Sequence, residues 1–415
     1  MKSAENTDHR PVPLWVPVAL TAGPVVALGF ARFAYALILP AMVHNLRWSL
    51  ATAGAMNTAN ALGYLFGALT TAPLANRWGL SRTFIVGLIV TSLTVLGTGL
   101  TSNNIALVLF RLASGAAGGM VFVAGGGLVA QATAEESSHR AALMLGIYFS
   151  GAGLGIVLSA WSIPVVLASL SPAVGWRMAW GILGSIGLLT VIGAVPAARR
   201  VVQPPGRERL ERSRAAAPWM FHRLRSVLMA YGLYGMGYII YMTFIIAFLQ
   251  RHGARPAEII LFWTVLGGTA LVSGFVWGRL LGRASGGQGV AVTMMLVLGG
   301  VLLPLWSTTA IMVLLSAILF GFAFLAVVTA VTAVARRNLP VEQWTGALAF
   351  LTVAFGLGQS IGPVLAGVMS PGLGGIQSGL VLSGGILALG AFVALTQRDN
   401  PARQPDHLVA PSEKS

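Results

Sequence analysis

Twelve long apolar runs divide this sequence, and they constrain its fold more than any other feature. A helix needs about 20 apolar residues to cross the hydrocarbon core of a bilayer. The runs, numbered here as spans 1 to 12, cover approximately residues 14–44, 50–74, 83–102, 104–133, 141–168, 176–197, 224–250, 257–281, 288–306, 309–334, 344–369 and 376–396. The sequence therefore predicts an all-α membrane protein with twelve transmembrane helices in two six-helix bundles.

The segments between and beside the spans are polar, and the longest of them divides the chain into two nearly equal parts. Only 9% of the residues are charged and 56% are hydrophobic, which is too few polar groups to cover a water-soluble protein of this size. A basic, Pro-containing stretch separates span 6 from span 7. We therefore expect an N-terminal tail, a first bundle, a linker, a second bundle and a C-terminal tail, at residues 1–13, 14–197, 198–223, 224–396 and 397–415.

The positive charges are distributed unevenly between the two sides of the predicted bundle. Most of the 26 Lys and Arg residues fall in the tails, the linker and the loops on the same side. The exceptions, which lie at or beyond the opposite ends of the spans, are Arg47, Arg177, Arg251 and Arg255. Basic loops stay in the cytoplasm, so both termini are predicted to be cytoplasmic. The protein itself is expected in the inner membrane of a bacterium. The formal charge of +15 then reflects topology and attraction to anionic membrane lipids, and indicates no nucleic-acid partner.

A short motif follows span 2 at a predicted cytoplasmic turn. Asn76, Arg77, Gly79 and Arg82 occupy the later positions of a pattern that resembles the signature of the major facilitator superfamily. That signature has a Gly and an Asp where this chain has Ala72 and Asn76, so this chain lacks the acid of the latch attributed to the signature. The resemblance implies that this turn is a cytoplasmic gate.

Two further segments make the resemblance more specific. GFARFAYALILPAM at residues 29–42 and NTANALGYLFGAL at residues 57–69 are similar to the YbfB/YjiJ-like branch of the superfamily. The resemblance implies a secondary transporter of a small solute that works by alternating access. It also implies that spans 1, 4, 7 and 10 surround the solute cavity.

Two arginines lie inside predicted spans, where a charge is costly unless it faces protein or a water-filled cavity. Arg32 lies in the middle of span 1, and Tyr35 is three residues further on the same expected helical face. A planar guanidinium suits a carboxylate, so we expect Arg32 to bind an anionic solute and Tyr35 to orient it. Satisfaction of Arg32 by backbone carbonyls is the alternative. Arg111 in span 4 has two possible roles, in packing or in solute contact.

Other polar side chains follow helical stripes. Tyr231, Tyr234, Tyr238 and Tyr241 share one face of span 7, where they either line the cavity or pack against a neighbouring helix. On span 2, Asn57, Asn60 and Tyr64 are expected to make interhelical hydrogen bonds. Gln359 is a lone polar candidate for solute contact in span 11.

Acidic residues are absent from every span centre, which favours an anionic solute such as an organic carboxylate. The available titrating groups are His44 and Glu258, at the outer ends of spans 1 and 8, or the carboxyl group of the solute itself, and these are the candidates for proton coupling. Facilitated diffusion and anion exchange are the alternatives to proton coupling. A proton-coupled exporter of drugs or amphipathic compounds is the alternative, although such exporters commonly use a buried carboxylate. A membrane enzyme or a receptor is a third class.

No pattern for enzyme chemistry is present. The sequence has no phosphate-binding loop, no Cys and no metal-binding His cluster, so we expect no catalytic residue, no cofactor and no metal. The Gly-rich runs at residues 125–127 and 151–155 lie within spans and are expected to allow close helix packing. We expect the protein to act as a monomer.

Overall fold

The computed structural model describes residues 12–134, 136–201, 218–281, 284–340, 343–369 and 375–399. These residues form twelve long helices and no strand, as the apolar runs predict. In chain order the helices α1 to α12 are Trp15–Leu46, Leu50–Trp78, Leu80–Thr98, Asn104–Ala132, Ser138–Ser169, Pro172–Arg200, Pro218–Arg251, Pro256–Leu280, Gln288–Trp306, Ala310–Asn338, Trp344–Met369 and Ile376–Leu395. The expected tails and linker fall largely outside the described residues, although α6 and α7 extend into the range 198–223.

Eleven of the twelve helices are long and apolar enough to cross a membrane by length and composition. The exception is α2, which carries Asn57, Asn60 and several Thr residues along its length. Those polar groups lower the mean hydropathy of α2, but its length of 29 residues is still sufficient to span a bilayer.

Local sequence explains where several helices begin and end. Ser49 precedes α2 and its hydroxyl accepts a hydrogen bond from the backbone N–H of Thr52, whereas Asn103 caps α4 in the same way. Pro172 and Pro256 stand in the first turns of α6 and α8, where a missing N–H costs nothing. Gly79 ends α2 with a φ of 84°, a conformation that favours glycine.

Helix α1 is interrupted by π-helical turns from Val25 to Phe33. A π-helix bonds each carbonyl to the N–H five residues ahead, so each turn contains more residues than an α-helical turn. The angular relation between Arg32, at the end of this segment, and residues beyond it therefore differs from that in a regular helix.

The two halves repeat the same helix contacts. In the first half α2 packs on α4, α3 packs on α4 and α6, and α1 packs on α5; in the second half the equivalent pairs are α8 with α10, α9 with α10 and α12, and α7 with α11. This repetition supports the internal duplication of six helices. The halves meet through α2 against α11, α5 against α8, and the later part of α1 against α7.

Small residues allow the closest of these contacts. A β-carbon on Gly63 of α2 would lie 2.0 Å from the carbonyl oxygen of Leu112 in α4, inside the same half. A β-carbon on Gly54 of the same helix would lie 2.2 Å from the carbonyl oxygen of Pro363 in α11, across the two halves. Helix α2 therefore uses glycine against both a partner within its half and a partner in the other half.

The contacts between α2 and α11 lie toward one end of the bundle. We call the end where α2, α6 and α10 finish the basic end, and the opposite end the distal end. Gly54 and Thr58, in the first part of α2, meet Pro363 and the carbonyl of Ser360. Phe66, nearer the basic end of α2, is 65% exposed. The two halves are therefore closed together on the distal side of the centre.

Candidate functional site

A buried polar cluster joins the two halves at the middle of the bundle. Arg32 of α1 donates from Nη2 to Oε1 of Gln359 in α11, and Tyr238 of α7 donates to the same oxygen at 3.2 Å. All three side chains are less than 5% exposed. Three residues that the sequence singled out separately therefore meet at one point, which we call the central cluster.

Aromatic rings surround the central cluster. The Arg32 guanidinium lies 5.3 Å from the ring centroid of Tyr64 in α2. Tyr238 stacks on Phe355 with ring centroids 5.5 Å apart, and it stacks more loosely on Phe324, which in turn meets Phe33 edge to face. These rings come from five different helices. They form an apolar and polarisable wall beside one positive charge.

Several donor atoms near the centre have no hydrogen-bond partner within the described residues. They are Nε of Arg32, Nη2 of Arg111 and Nε2 of Gln359. Buried donors are nearly always satisfied in native proteins, and an unpaired one costs about 1–3 kcal/mol. All three atoms are donors, so the group that would complete these sites is an acceptor, such as an anion or a water molecule.

Arg111 forms a second cluster that lies entirely within the first half. It donates to the carbonyl oxygens of Ala31 at 2.5 Å and Met56 at 3.4 Å. Its guanidinium lies 4.6 Å from the ring centroid of Tyr35 and 5.5 Å from that of Trp180. These contacts link α1, α2, α4 and α6 and favour the packing role of Arg111 over solute contact.

The expected pairing of Tyr35 with Arg32 does not occur in the structure. Tyr35 lies against Arg111, and its hydroxyl donates to the carbonyl oxygen of Ala53 at 2.8 Å. The π-helical turns that end at Phe33 are the physical reason, because a spacing of three residues no longer corresponds to one helical face there. A role for Tyr35 in holding the solute remains a hypothesis. Because Tyr35 contacts Arg111 and not Arg32, it would have to act through Arg111.

The tyrosine stripe of α7 is mostly packed against neighbouring helices. Tyr231 and Tyr234 stack on Phe355, with ring centroids 4.8 and 6.0 Å apart, and the Tyr234 hydroxyl donates to the carbonyl of Phe324. Tyr241 shares a 2.5 Å hydrogen bond with Ser316. Only Tyr238 reaches the central cluster, so the packing alternative describes the other three in this structure.

The interhelical hydrogen bonds expected for the span 2 asparagines are confirmed. Asn57 donates to Oγ1 of Thr243 in α7 at 2.6 Å, which is a second polar link between the halves. Asn60 donates to the carbonyl of Arg111 and to Oγ of Ser114 in α4. The close packing expected for the Gly-rich runs is also present, since a β-carbon on Gly153 would lie 2.6 Å from the carbonyl of Gly267.

The two candidates for proton coupling lie far along the helices from the central cluster. His44 is exposed in the last turn of α1. Glu258 pairs with Arg255 at 3.0 Å and closes a capping box at the start of α8. The carboxylate of Glu258 is therefore already engaged by a neighbouring cation, and it also lines a distal cavity of about 110 Å³ with His252.

The gate motif lies at the turn between α2 and α3. Asn76 and Arg77 are exposed in the last turn of α2, and Gly79 turns the chain toward Arg82 in the first turn of α3. Among the described residues, none of these three polar side chains is bonded to the second half. The exposed position fits a contact surface at the basic end, and the gate role remains a proposal.

Comparison with known proteins identifies the class to which this fold and site belong. The chain resembles a bacterial homologue of the human lysosomal transporter Spinster, crystallised in an inward-facing and unoccupied conformation, with a TM-score of 0.68, 18% identity, and coverage of 95% of this chain and 100% of that one. It also resembles the nucleoside transporter NupG, with a TM-score of 0.70, 13% identity, and coverage of 92% and 98%. The twelve helices of this chain therefore have the fold of these two transporters.

The family itself is shown by the sequence. Residues 24–395 match the family described as "Uncharacterised MFS-type transporter YbfB", and the chain belongs to that family. A stretch of 163 residues is also 30% identical to a gallate transporter of Pseudomonas putida. That match spans 38% of this chain and 36% of the relative, so it covers about a third of each protein.

Proposed function

We propose that this transporter moves small organic carboxylates by alternating access, with the carboxylate bound to Arg32. The observation that carries this proposal is the buried guanidinium of Arg32 at the junction of the two halves, with an unpaired Nε and no carboxylate partner among the described residues. A cation in such a site would face an uncompensated positive charge, whereas an anion would neutralise it.

The aromatic wall narrows the class of carboxylate. Tyr64 presents its ring face to the guanidinium, and Tyr238 and Phe355 form an aromatic stack beside it. Aromatic surroundings of this kind suit a planar apolar group. A benzoate-type anion would place its carboxylate on Arg32 and its ring among these side chains. The gallate transporter that matches a third of the chain supports the same class, because gallate is an aromatic carboxylate.

The remaining features of the proposed mechanism concern orientation and gating. We infer that both termini and the linker lie in the cytoplasm of a bacterium, with the basic end inside, and that the chain divides into its two bundles at residues 198–223. Closure on the distal side then corresponds to closure toward the outside. The turn containing Asn76, Arg77, Gly79 and Arg82 would contact the second half when the basic end closes.

The test is uptake by purified protein in liposomes. Labelled gallate and benzoate are the anionic probes, and labelled tetraphenylphosphonium represents the lipophilic cations carried by a drug exporter. Arg32→Lys keeps the charge but removes the two-pronged geometry, so gallate uptake should fall about 10- to 100-fold, the equivalent of one charge-assisted hydrogen bond. Arg177→Lys, at a half-buried distal Arg that contacts Ser102 and Trp176 away from the central cluster, is the matched control and should leave uptake unchanged.

Two results would contradict the proposal. Uptake of gallate and benzoate at wild-type rates by both Arg32→Lys and Arg32→Gln would remove Arg32 from the solute site. Uptake of tetraphenylphosphonium with no uptake of either carboxylate would favour the proton-coupled exporter.

A further inference from the structure

Gln359 is the only hydrogen-bond acceptor that the described residues offer to Arg32. Its Oε1 atom accepts from Arg32 and from Tyr238, while its own Nε2 atom is unpaired. Gln359 is fully buried and belongs to α11, whereas Arg32 belongs to α1. The bond therefore crosses from one half of the transporter to the other.

The two buried arginines are satisfied in different ways. Arg111 donates hydrogen bonds to backbone carbonyl oxygens of α1 and α2, and these acceptors stay in place because they belong to the same half as Arg111. Arg32 has no such fixed acceptor. When the guanidinium faces a water-filled cavity, water can solvate its charge; when the guanidinium is buried, as in this structure, the amide of Gln359 takes over that task.

We infer that Gln359 stands in for the solute carboxylate on Arg32 whenever the transporter reorients empty. This inference rests on the proposed function, because it takes Arg32 to be the carboxylate site. A loaded carrier brings its own anion to the guanidinium, so it does not need the amide. An empty carrier must bury the positive charge of Arg32 at its centre. The amide oxygen of Gln359 lowers the desolvation cost of this burial by accepting a hydrogen bond from the guanidinium.

The consequence concerns the mode of transport. A carrier that can reorient empty performs net transport, whereas a carrier that reorients only when loaded is restricted to exchange. Gln359 is thus a positioning residue that permits net flux, and its removal should affect net flux and exchange differently. A side chain that merely holds the fold together would reduce both modes by the same factor.

Three substitutions separate these possibilities. Gln359→Leu removes the acceptor at similar size. Gln359→Glu fixes a carboxylate beside Arg32, so it should preserve empty reorientation but raise the KM for an external carboxylate, which then has to compete with it. Thr243→Val is the matched control, because it removes another polar link between the halves, the bond from Asn57, without touching the Arg32 charge.

The measurement compares two assays on the same proteoliposomes, net efflux of gallate into solute-free buffer and exchange of labelled for unlabelled gallate. In Gln359→Leu, net efflux should fall roughly 10- to 100-fold, as expected for loss of a hydrogen bond to a charged group, while exchange is retained. Thr243→Val should not separate the two modes. Equal losses in both modes for Gln359→Leu, or retained net efflux, would refute the inference.

A second measurement needs no solute and keeps the inference testable if gallate is not carried. Spin labels on Leu100→Cys and Trp306→Cys report the distal end, and labels on Leu143→Cys and Leu395→Cys report the basic end; the chain has no native Cys. Without solute, Gln359→Leu should deplete the conformer in which both distances are short, and Thr243→Val should deplete it less. An unchanged distribution in Gln359→Leu would refute the inference, whereas failure of wild-type protein to carry any carboxylate would contradict only the proposed function.

Discussion

The contact of Gly54 with α11 predicts that one methyl group will shift the conformational equilibrium of the transporter. The β-carbon of Gly54→Ala would lie 2.2 Å from the carbonyl oxygen of Pro363 and 3.1 Å from the backbone nitrogen of Val364. Ordinary contacts between a carbon atom and its neighbours are about 3.5–4.0 Å, so the helices must separate by roughly 1 Å or more. Neither neighbour is a flexible side chain that could move aside.

The energetic consequence depends on which state contains the contact. Overpacking a tight interface typically costs about 1–3 kcal/mol. Because α2 and α11 belong to different halves, this cost applies to the state closed on the distal side and is relieved when that side opens. The ratio of distally open to distally closed protein should therefore rise about 5- to 150-fold.

Two other glycines provide controls for the same chemical change. Gly63→Ala on the same helix would place its β-carbon 2.0 Å from Leu112 of α4, within one half, so its cost applies in every conformation and should appear as reduced thermal stability. Gly181→Ala on α6 has no neighbour within 4 Å and should be neutral or slightly stabilising, because alanine is the better helix former.

The assay is the distance between spin labels on Leu100→Cys and Trp306→Cys, which are 74% and 88% exposed near the distal end of opposite halves. Gly54→Ala should populate a longer distance, and Gly63→Ala and Gly181→Ala should not. If Gly54→Ala keeps the wild-type distribution but loses thermal stability like Gly63→Ala, then α2 and α11 do not separate during the cycle and the reasoning is refuted.

Three further predictions address topology, stability and coupling. A single Cys at position 210 should be shielded from impermeant thiol reagents in intact cells, and labelling there would reverse the proposed orientation. Partial burial raises the pKa of Asp399, but hydrogen bonds from Gly286 and Asn338 and the ion pair with Arg337 lower it by more, so this pKa lies below its ordinary value of 3.8. Asp399→Asn should therefore lower the melting temperature in detergent at pH 7. This difference should shrink as the pH falls below about 4, where wild-type Asp399 also loses its charge. The double substitution His44→Ala and Glu258→Gln should leave little solute-driven proton flux with a solute that stays ionised, and strong residual flux would reveal a coupling residue elsewhere.

The sequence was sufficient to predict the twelve helices, and it singled out Arg32, Tyr238 and Gln359, which the structure brings together. Apolar length determines where a chain can cross a bilayer, and the helices begin and end within a few residues of the predicted spans except where α2, α6, α7 and α10 extend beyond them. Arg32 and Gln359 stood out because a polar side chain in an apolar span must have a partner. What the sequence could not show is that these two residues are partners of each other, since they are 327 positions apart.

Two aspects of the site depend on structure that has no clear sequence signal. The π-helical turns of α1 separate Tyr35 from Arg32, and nothing in the sequence GFARFAY distinguishes them from regular helix. The aromatic wall is assembled from five helices, so Tyr64 and Phe355 could be recognised as members only once the helices were packed. Sequence periodicity describes one helix at a time, whereas a solute site is a property of several.

The low hydropathy of α2 has a consequence for how the protein is made. Helices enter the bilayer from the translocon according to their own apolar content, and α2 is the one long helix in the described part of the chain that falls short of that standard. Among the described residues, Asn57 and Asn60 bond to α7 and α4, and α7 is synthesised much later. During biosynthesis we therefore expect α2 to depend on α4, its main partner within the first half, to retain it in the membrane. The same polar groups that bond α2 to α4 and α7 in the finished protein thus make the insertion of this helix sensitive to its neighbours.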